Sequence, residues 1–203
     1  MSEQLPEGVM TLADHQAPLG SAFTVAPLFI VGSKEADGSF NLAPKHMAGP
    51  LGWEEHFGFI CTPQQTTYEN VMRERVFTVS YPLPTQVVLA SLTASPRVGD
   101  LGVKPVLEVI PTFPATRVDG VFVHDGYLFL ECELERCVDG LGSNSLMIGR
   151  IVAAHVREDA LRASDADEQE LIYHRPLLAY VSPGRYATID TTNSFPFPEG
   201  MRR

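Results

Sequence analysis

A segment near the middle of the chain carries the feature that most restricts the fold, a strict alternation of apolar and acidic residues. Residues 130–135 read Leu-Glu-Cys-Glu-Leu-Glu. Alternation with a period of two predicts a β-strand with one buried and one solvated face, as in an antiparallel sheet. An Asp-Gly dipeptide precedes this strand at residues 125–126 and another follows it at 139–140. We predict a hairpin turn at each.

Apolar runs bounded by turn residues continue this β pattern along the chain. We predict strands at residues 23–31, 57–61 and 145–156, and a hairpin turn at Asp37-Gly38. Because Pro44 has no N–H for a sheet ladder, residues 41–44 are expected to leave the sheet. Strands separated by short turns predict a mainly β protein built as an antiparallel barrel.

A short helix is predicted to follow the strand at residues 57–61. Thr66 and Glu69 have the spacing of a capping box. The free N–H groups of a helix start suit an anion, and Lys45 is the cation that we expect to close such a site. These elements favour a small phosphorylated ligand held mostly by backbone groups, and an ordinary capped helix is the alternative explanation.

Composition narrows the classes of partner. The 203 residues carry a net charge of −10, which disfavours binding to nucleic acids and to anionic membrane surfaces. The first ten residues lack the pattern of a signal peptide, and no apolar run approaches the roughly 20 residues of a membrane span. We therefore predict a cytoplasmic protein without a membrane partner.

Motifs for metal binding and for other enzyme classes are missing from the sequence. The three cysteines do not form a zinc pattern, and the six histidines show neither H-x-H nor H-E-x-x-H spacing. The sequence also lacks the G-x-S-x-G elbow of hydrolases and a Rossmann glycine motif before a helix. We predict no metal site.

Several segments together resemble the flavin reductase-like family of FMN-binding split barrels. Asn41-Leu42-Ala43-Pro44 is followed by Thr67-x-x-Asn70 and by the strand at residues 77–80, in the order of the family's motifs. The segments at residues 146–155 and 176–186 agree with its later strands, so that the resemblance covers residues 23–187. His46 departs from the pattern, because the family has a serine there.

The resemblance implies an antiparallel, Greek-key, FMN-binding split β-barrel with a few short helices. Residues 1–22 would form an arm, residues 23–188 the barrel domain and residues 189–203 an extended tail. The loop at residues 96–104 would cover the mouth of the flavin site, although it could equally be a plain connector.

The implied activity is that of an NAD(P)H:flavin oxidoreductase. The implied cofactor is FMN, with FAD or riboflavin as alternatives, and the reductant is NADH or NADPH. Family members build the flavin site beside a subunit interface, so a homodimer is expected, with a flavin-dependent monooxygenase or another electron acceptor as a further partner. An FMN-containing electron carrier reduced by a protein partner and a non-catalytic flavin-binding module are the alternatives.

The expected site residues lie in three parts of the chain, at residues 41–47, 62–70 and 185–186. Hydride transfer to a flavin requires no acid–base pair, because the flavin supplies the electronics. We therefore assign no catalytic residue, and His46 and Tyr186 are the candidates. The predicted cofactor-binding residues are Asn41, Leu42, Ala43, Pro44, Lys45, His46, Met47, Thr62, Gln65, Thr66, Thr67, Asn70 and Arg185.

Overall fold

The computed structural model describes residues 5–12, 18–98, 102, 104–163 and 167–201 of the chain. Within these residues the chain forms twelve strands and three α-helices. The strands are β1 (Thr24–Pro27), β2 (Phe29–Lys34), β3 (Phe40–Lys45), β4 (Ala48–Pro50), β5 (His56–Cys61), β6 (Val76–Tyr81), β7 (Thr112–Pro114), β8 (Val121–Val123), β9 (Leu128–Leu141), β10 (Asn144–Val156), β11 (Leu177–Ser182) and β12 (Arg185–Ile189). The helices are α1 (Thr66–Glu74), α2 (Val87–Leu92) and α3 (Glu168–His174).

Antiparallel pairing joins the strands into three sheets. The large sheet has the order β3-β2-β6-β9-β10-β5-β4, and the smaller ones are β1-β11-β12 and β7-β8. In the large sheet, β5, β6, β9 and β10 lie in the spatial order β5-β10-β9-β6, which is a Greek-key order because the first strand lies beside the fourth. The large sheet curls into a half-barrel, and the predicted mainly β split barrel is confirmed.

The hydrophobic core has two parts, one on each face of β2. Phe29 and Val31 pack inside the half-barrel with Val71 of α1, whereas Ile30 packs on the opposite face with Ala90 of α2. All three residues of β2 are at most 1% exposed. The sheet is therefore covered on both sides next to β3, and β3 itself is an edge strand between the two helices.

Gly149 lies in one of the segments that resemble the family, and the packing around it explains why this position has no side chain. A Cβ atom at this position in β10 would lie 2.5 Å from two ring carbons of Phe77. Phe77 is 1% exposed and its ring packs at 5.2 Å from that of Phe59 in the half-barrel. The missing side chain therefore leaves room for the buried ring of Phe77 to pack directly against the backbone of β10.

Two strand predictions are wrong in their extent. Residues 23–31 form two strands in different sheets, because the chain passes from β1 to β2 directly after Pro27. Residues 41–44 stay in the sheet, with Pro44 paired to Ile30. The proline is tolerated because β3 is an edge strand. Backbone groups two residues apart in a strand point to the same side, and the carbonyl of Leu42 points away from the sheet to Lys104. The N–H that Pro44 lacks would therefore also point away from the sheet, so no ladder hydrogen bond is lost.

The hairpin at Asp37-Gly38 is confirmed as the connection between β2 and β3, whereas the other two Asp-Gly predictions are wrong. Residues 124–125 form a turn, but the strands on either side pair elsewhere, β8 with β7 and β9 with β6 and β10. Residues 139–140 stay within β9, where Gly140 (φ +86°) lies at an irregularity in register. The turn occurs at residues 142–143, and Gly142 supplies a positive φ of +65°.

The predicted alternation in β9 holds except at one glutamate. Leu130, Cys132 and Leu134 are buried, and the two later glutamates are exposed. Glu131 is completely buried, because residues 116–118 cover it with hydrogen bonds. A long-range contact therefore overrides the local pattern here.

Two further findings concern membrane spans and metal sites. None of the helices in the described part of the chain is long and apolar enough to cross a membrane. The described residues contain no group of three or more His, Cys, Asp or Glu side chains placed to hold a metal ion.

Candidate functional site

A cavity of about 320 Å³ opens at the free edge of β3, between the start of α1 and the segment that follows α2. We call it the anion pocket. It contains seven of the residues predicted from the sequence: Asn41, Ala43, Pro44, Lys45, Gln65, Thr66 and Thr67. It also contains six residues that were not predicted: Gln64, Thr93, Ala94, Ser95, Arg97 and Lys104.

Lys45 brings a buried cation to the anion pocket. Alternation along β3 puts its side chain on the same face as that of Asn41, toward α1, and the whole residue is only 9% exposed. Its Nζ donates a hydrogen bond to Oε1 of Gln65 at 2.9 Å and lies 3.5 Å from Sγ of Cys61. Both partners are neutral, so they do not balance the charge of Lys45. An anion in the pocket would do so.

Two further cations, Lys104 and Arg97, lie on the other side of the anion pocket. Lys104 donates to the carbonyl groups of Leu42 (3.3 Å) and Thr93 (3.0 Å). Burial and the neighbouring charge of Arg97 lower the pKa of Lys104, while Glu35 raises it. One feature of the sequence could have indicated these two cations. Both lie in the loop at residues 96–104, which the resemblance places at the mouth of the flavin site.

The start of α1 faces the anion pocket without a side-chain cap. The N-cap residue is Gln65, so the capping box predicted from Thr66 is wrong. Thr66 is already helical, and the side chain of Gln65 accepts from Lys45 instead of capping the helix. Thr67 is buried, and its hydroxyl oxygen accepts from Nδ2 of Asn41 at 3.1 Å. The positive end of the helix is therefore directed at the pocket.

A second cavity, of about 410 Å³, lies beside Pro44 on the other face of β3. We call it the aromatic pocket. It brings His46, Arg185 and Tyr186 together, and the ring of His46 packs on that of Tyr180 with centroids 4.4 Å apart. Burial, and then the charge of Lys45, lower the pKa of His46, so the imidazole is neutral at pH 7. Pro44 lines both pockets and separates them.

The remaining predicted residues have other surroundings. The side chain of Leu42 is buried in the core under α2, and Met47 is exposed between β3 and β4. Thr62 donates a hydrogen bond to Asn144 at 3.3 Å. Asn70 is buried, and its amide donates to Ser33 of β2 at 3.2 Å. Asn70 therefore ties α1 to the sheet, and its predicted contact with a cofactor stays a prediction.

Comparisons with known proteins agree with this fold. The family model for the flavin reductase like domain matches residues 21–187 of the sequence, and the chain belongs to that family. No curated protein sequence gave a match.

Solved structures share the fold at low sequence identity. A putative flavin reductase with a split barrel domain from Shewanella frigidimarina has a TM-score of 0.73 at 20% identity, over 88% of each chain. Component B of nitrilotriacetate monooxygenase from Bacillus cereus has a TM-score of 0.75 at 18% identity, over 95% of this chain and 98% of that one. An FMN-binding protein from Thermus thermophilus has a TM-score of 0.69 at 20% identity, over 96% and 99%.

Proposed function

We propose that the protein binds a flavin nucleotide, FMN in the simplest case, and catalyses hydride transfer to it from NADH or NADPH. The observation that carries this proposal is the buried ammonium group of Lys45, which faces the anion pocket. In the described contacts its hydrogen-bond partners, Gln65 and Cys61, are both neutral. In a flavin reductase-like chain, such a cation beside an uncapped helix start suits the phosphate of FMN.

The residues present fit a flavin nucleotide in both of its parts. Lys45, Lys104 and the start of α1 would hold the phosphate. The aromatic pocket offers Tyr180, Tyr186 and a neutral His46 to a planar ring. When bound, the flavin supplies the hydride acceptor. The role of the chain is then to bind and orient, which requires no proton donor in the pocket.

Anaerobic reduction tests this proposal. We expect the purified protein to bind FMN with an absorption spectrum of bound flavin, and NADH or NADPH to bleach it. Dithionite serves as the control for a reducible flavin. Bleaching by dithionite but by neither nicotinamide would favour the electron carrier reduced by a protein partner. If no flavin binds at all, the proposal is wrong.

We also propose that the chain forms a homodimer through surfaces that include its C-terminal tail. Phe195 and Phe197 are 68% and 41% exposed, and their rings lie 4.7 Å apart. Exposed aromatic pairs of this kind are typical of interaction surfaces. Sedimentation at micromolar concentration should give a dimer, and removal of residues 190–203 should weaken it. A monomeric intact chain would contradict the proposal.

A flavin-dependent monooxygenase or another electron acceptor is the proposed user of the reduced flavin. The likeness to a monooxygenase component from Bacillus cereus supports this at the level of the fold. Oxidation of reduced flavin by an added monooxygenase, measured against air alone, would test the transfer. The division into arm, barrel domain and tail and the cytoplasmic location stay predictions.

A further inference from the structure

The sheet β1-β11-β12 and the half-barrel meet along a cleft of about 240 Å³ that the proposed function does not use. We call it the sheet cleft. Strands β1 and β11, with Ile189 of β12, form one wall, and Tyr81, Pro82 and Tyr127 form the other. Protein interiors are packed as densely as organic crystals, and gaps larger than a water molecule are few. A cleft of this size is therefore a candidate ligand site.

The walls of the sheet cleft are apolar apart from two tyrosine hydroxyl groups. Tyr81 and Tyr127 are the only described lining residues with a polar side-chain group, and none of the described lining residues is charged. Leu178 and Ala179 form a buried floor, whereas Val25 is 70% exposed and lies at the mouth. A charged ligand would lose its hydration here without gaining a partner, so the cleft favours a neutral ligand.

The two hydroxyl groups are hydrogen-bond donors that no contact among the described residues uses. The ring of Tyr81 packs edge-on against the rings of Phe29 and Tyr127, with centroids 4.7 Å and 5.6 Å apart, and these contacts hold it in place. The described residues include no completely enclosed polar side-chain atom that lacks a partner, so each hydroxyl group reaches open space. Burial raises the pKa of both tyrosines, so both stay protonated at pH 7. Both can therefore donate to a ligand.

The size and the donors of the sheet cleft together define the ligand. An ordered water needs about two to four polar partners, and an apolar cavity of about 150 Å³ stays dry and takes up benzene. The sheet cleft is larger, so it has room for a six-membered ring with a short substituent. A carbonyl oxygen has two lone pairs and can accept a hydrogen bond from each tyrosine.

We propose that the sheet cleft binds a small neutral ring compound with one carbonyl group, its oxygen held by Tyr81 and Tyr127 and its ring lying against Ala179. This site is separate from the proposed flavin site. Ala179 lines the sheet cleft, whereas the next residue of β11, Tyr180, lines the aromatic pocket. The inference therefore goes beyond the proposed function and does not depend on it.

Acetophenone is the probe, and ethylbenzene is its control, because it has the same ring and chain length but no oxygen. Dissociation constants come from NMR titrations of the full chain. We expect acetophenone to bind. Tyr81→Phe and Tyr127→Phe should each weaken acetophenone by about threefold to tenfold, as expected for the loss of one hydrogen bond, and should change ethylbenzene by less than about twofold. Benzoate is charged, so it should not compete with acetophenone.

A further variant keeps the test valid if the tyrosine variants fail to fold. Val25 is exposed at the mouth of the sheet cleft, so Val25→Trp should block both acetophenone and ethylbenzene. Val88→Trp is the matched control, since Val88 is 67% exposed on α2 and lies outside the cleft. It should change neither ligand.

Four outcomes would each overturn the inference. They are no binding of acetophenone by the unmodified protein, competition by benzoate, a tyrosine variant that changes acetophenone and ethylbenzene alike, and unchanged binding in Val25→Trp. FMN should bind equally to Val25→Trp and to the unmodified protein, so each of these outcomes leaves the proposed function standing.

Discussion

Replacing Lys45 by methionine should weaken FMN binding by about tenfold to a hundredfold and leave riboflavin binding nearly unchanged. The variant keeps an unbranched apolar stem in the space now filled by a buried lysine, but removes the charge. A charge-assisted hydrogen bond contributes roughly 1.5–3 kcal/mol, which corresponds to this range. Riboflavin has no phosphate, so it should not sense the loss. Fluorescence quenching gives both dissociation constants at one ionic strength.

Two controls separate the charge of Lys45 from a general effect. Arg73 is a cation on α1 near the same site, but it donates to the carbonyl of Lys34 and to Asn70, away from the anion pocket. Arg73→Met should therefore change FMN and riboflavin alike. Added salt should weaken FMN binding more in the unmodified protein than in Lys45→Met. An equal loss of both ligands on Lys45→Met would mean that Lys45 shapes the ring site and does not hold the phosphate.

The parts of the fold that sequence could predict are those with local causes. The strand β5, the helix α1 and the strand β6 follow one another as an apolar run, a helical segment and a second apolar run, and the structure has them within one or two residues. The hairpin at Asp37-Gly38 needs only a glycine with positive φ between two strands, and Gly38 has a φ of +89°.

The errors concern partners that are far apart in sequence. An Asp-Gly turn at residues 125–126 predicts a change of direction, but it cannot indicate that β8 will pair with β7. Pro44 is tolerated only because β3 lies at a sheet edge, which depends on the order of all seven strands. Local patterns do not determine these long-range choices.

The candidate site was predicted only in part, again because some of its residues come from distant parts of the sequence. Lys45 and the start of α1 are close in sequence to the motifs that carry the resemblance, whereas Lys104 reaches the pocket from a loop about 60 residues further along the chain. Its contact with the carbonyl of Leu42 is visible only once β3 is known to be an edge strand.

Glu131 is the clearest case of a buried group that local patterns hide. Its carboxylate accepts hydrogen bonds from the backbone N–H groups of Thr116, Arg117 and Val118, and it lies 2.8 Å from Nε2 of His155. Burial by itself raises the pKa of Glu131, but the hydrogen bonds from His155 and Thr116, together with that from Arg117, outweigh it and lower the pKa from 4.5 to about 2. The folded state therefore favours the ionised carboxylate.

Glu131→Gln should lower the free energy of unfolding at pH 7 by on the order of 3 kcal/mol, since each pH unit of a lowered pKa corresponds to about 1.4 kcal/mol. A depressed carboxylate pKa stabilises the fold above the unfolded pKa of 4.5 and loses this effect as the pH falls toward about 2. The stability of the unmodified protein should therefore decline across that interval, and the difference from Glu131→Gln should shrink with it. Urea unfolding at pH 7, 4, 3 and 2.5 measures both.

Glu133→Gln, in which an exposed ion pair with Arg150 is lost, should cost several times less. A difference between Glu131→Gln and the unmodified protein that stays constant with pH would mean that the carboxylate contributes packing and not charge.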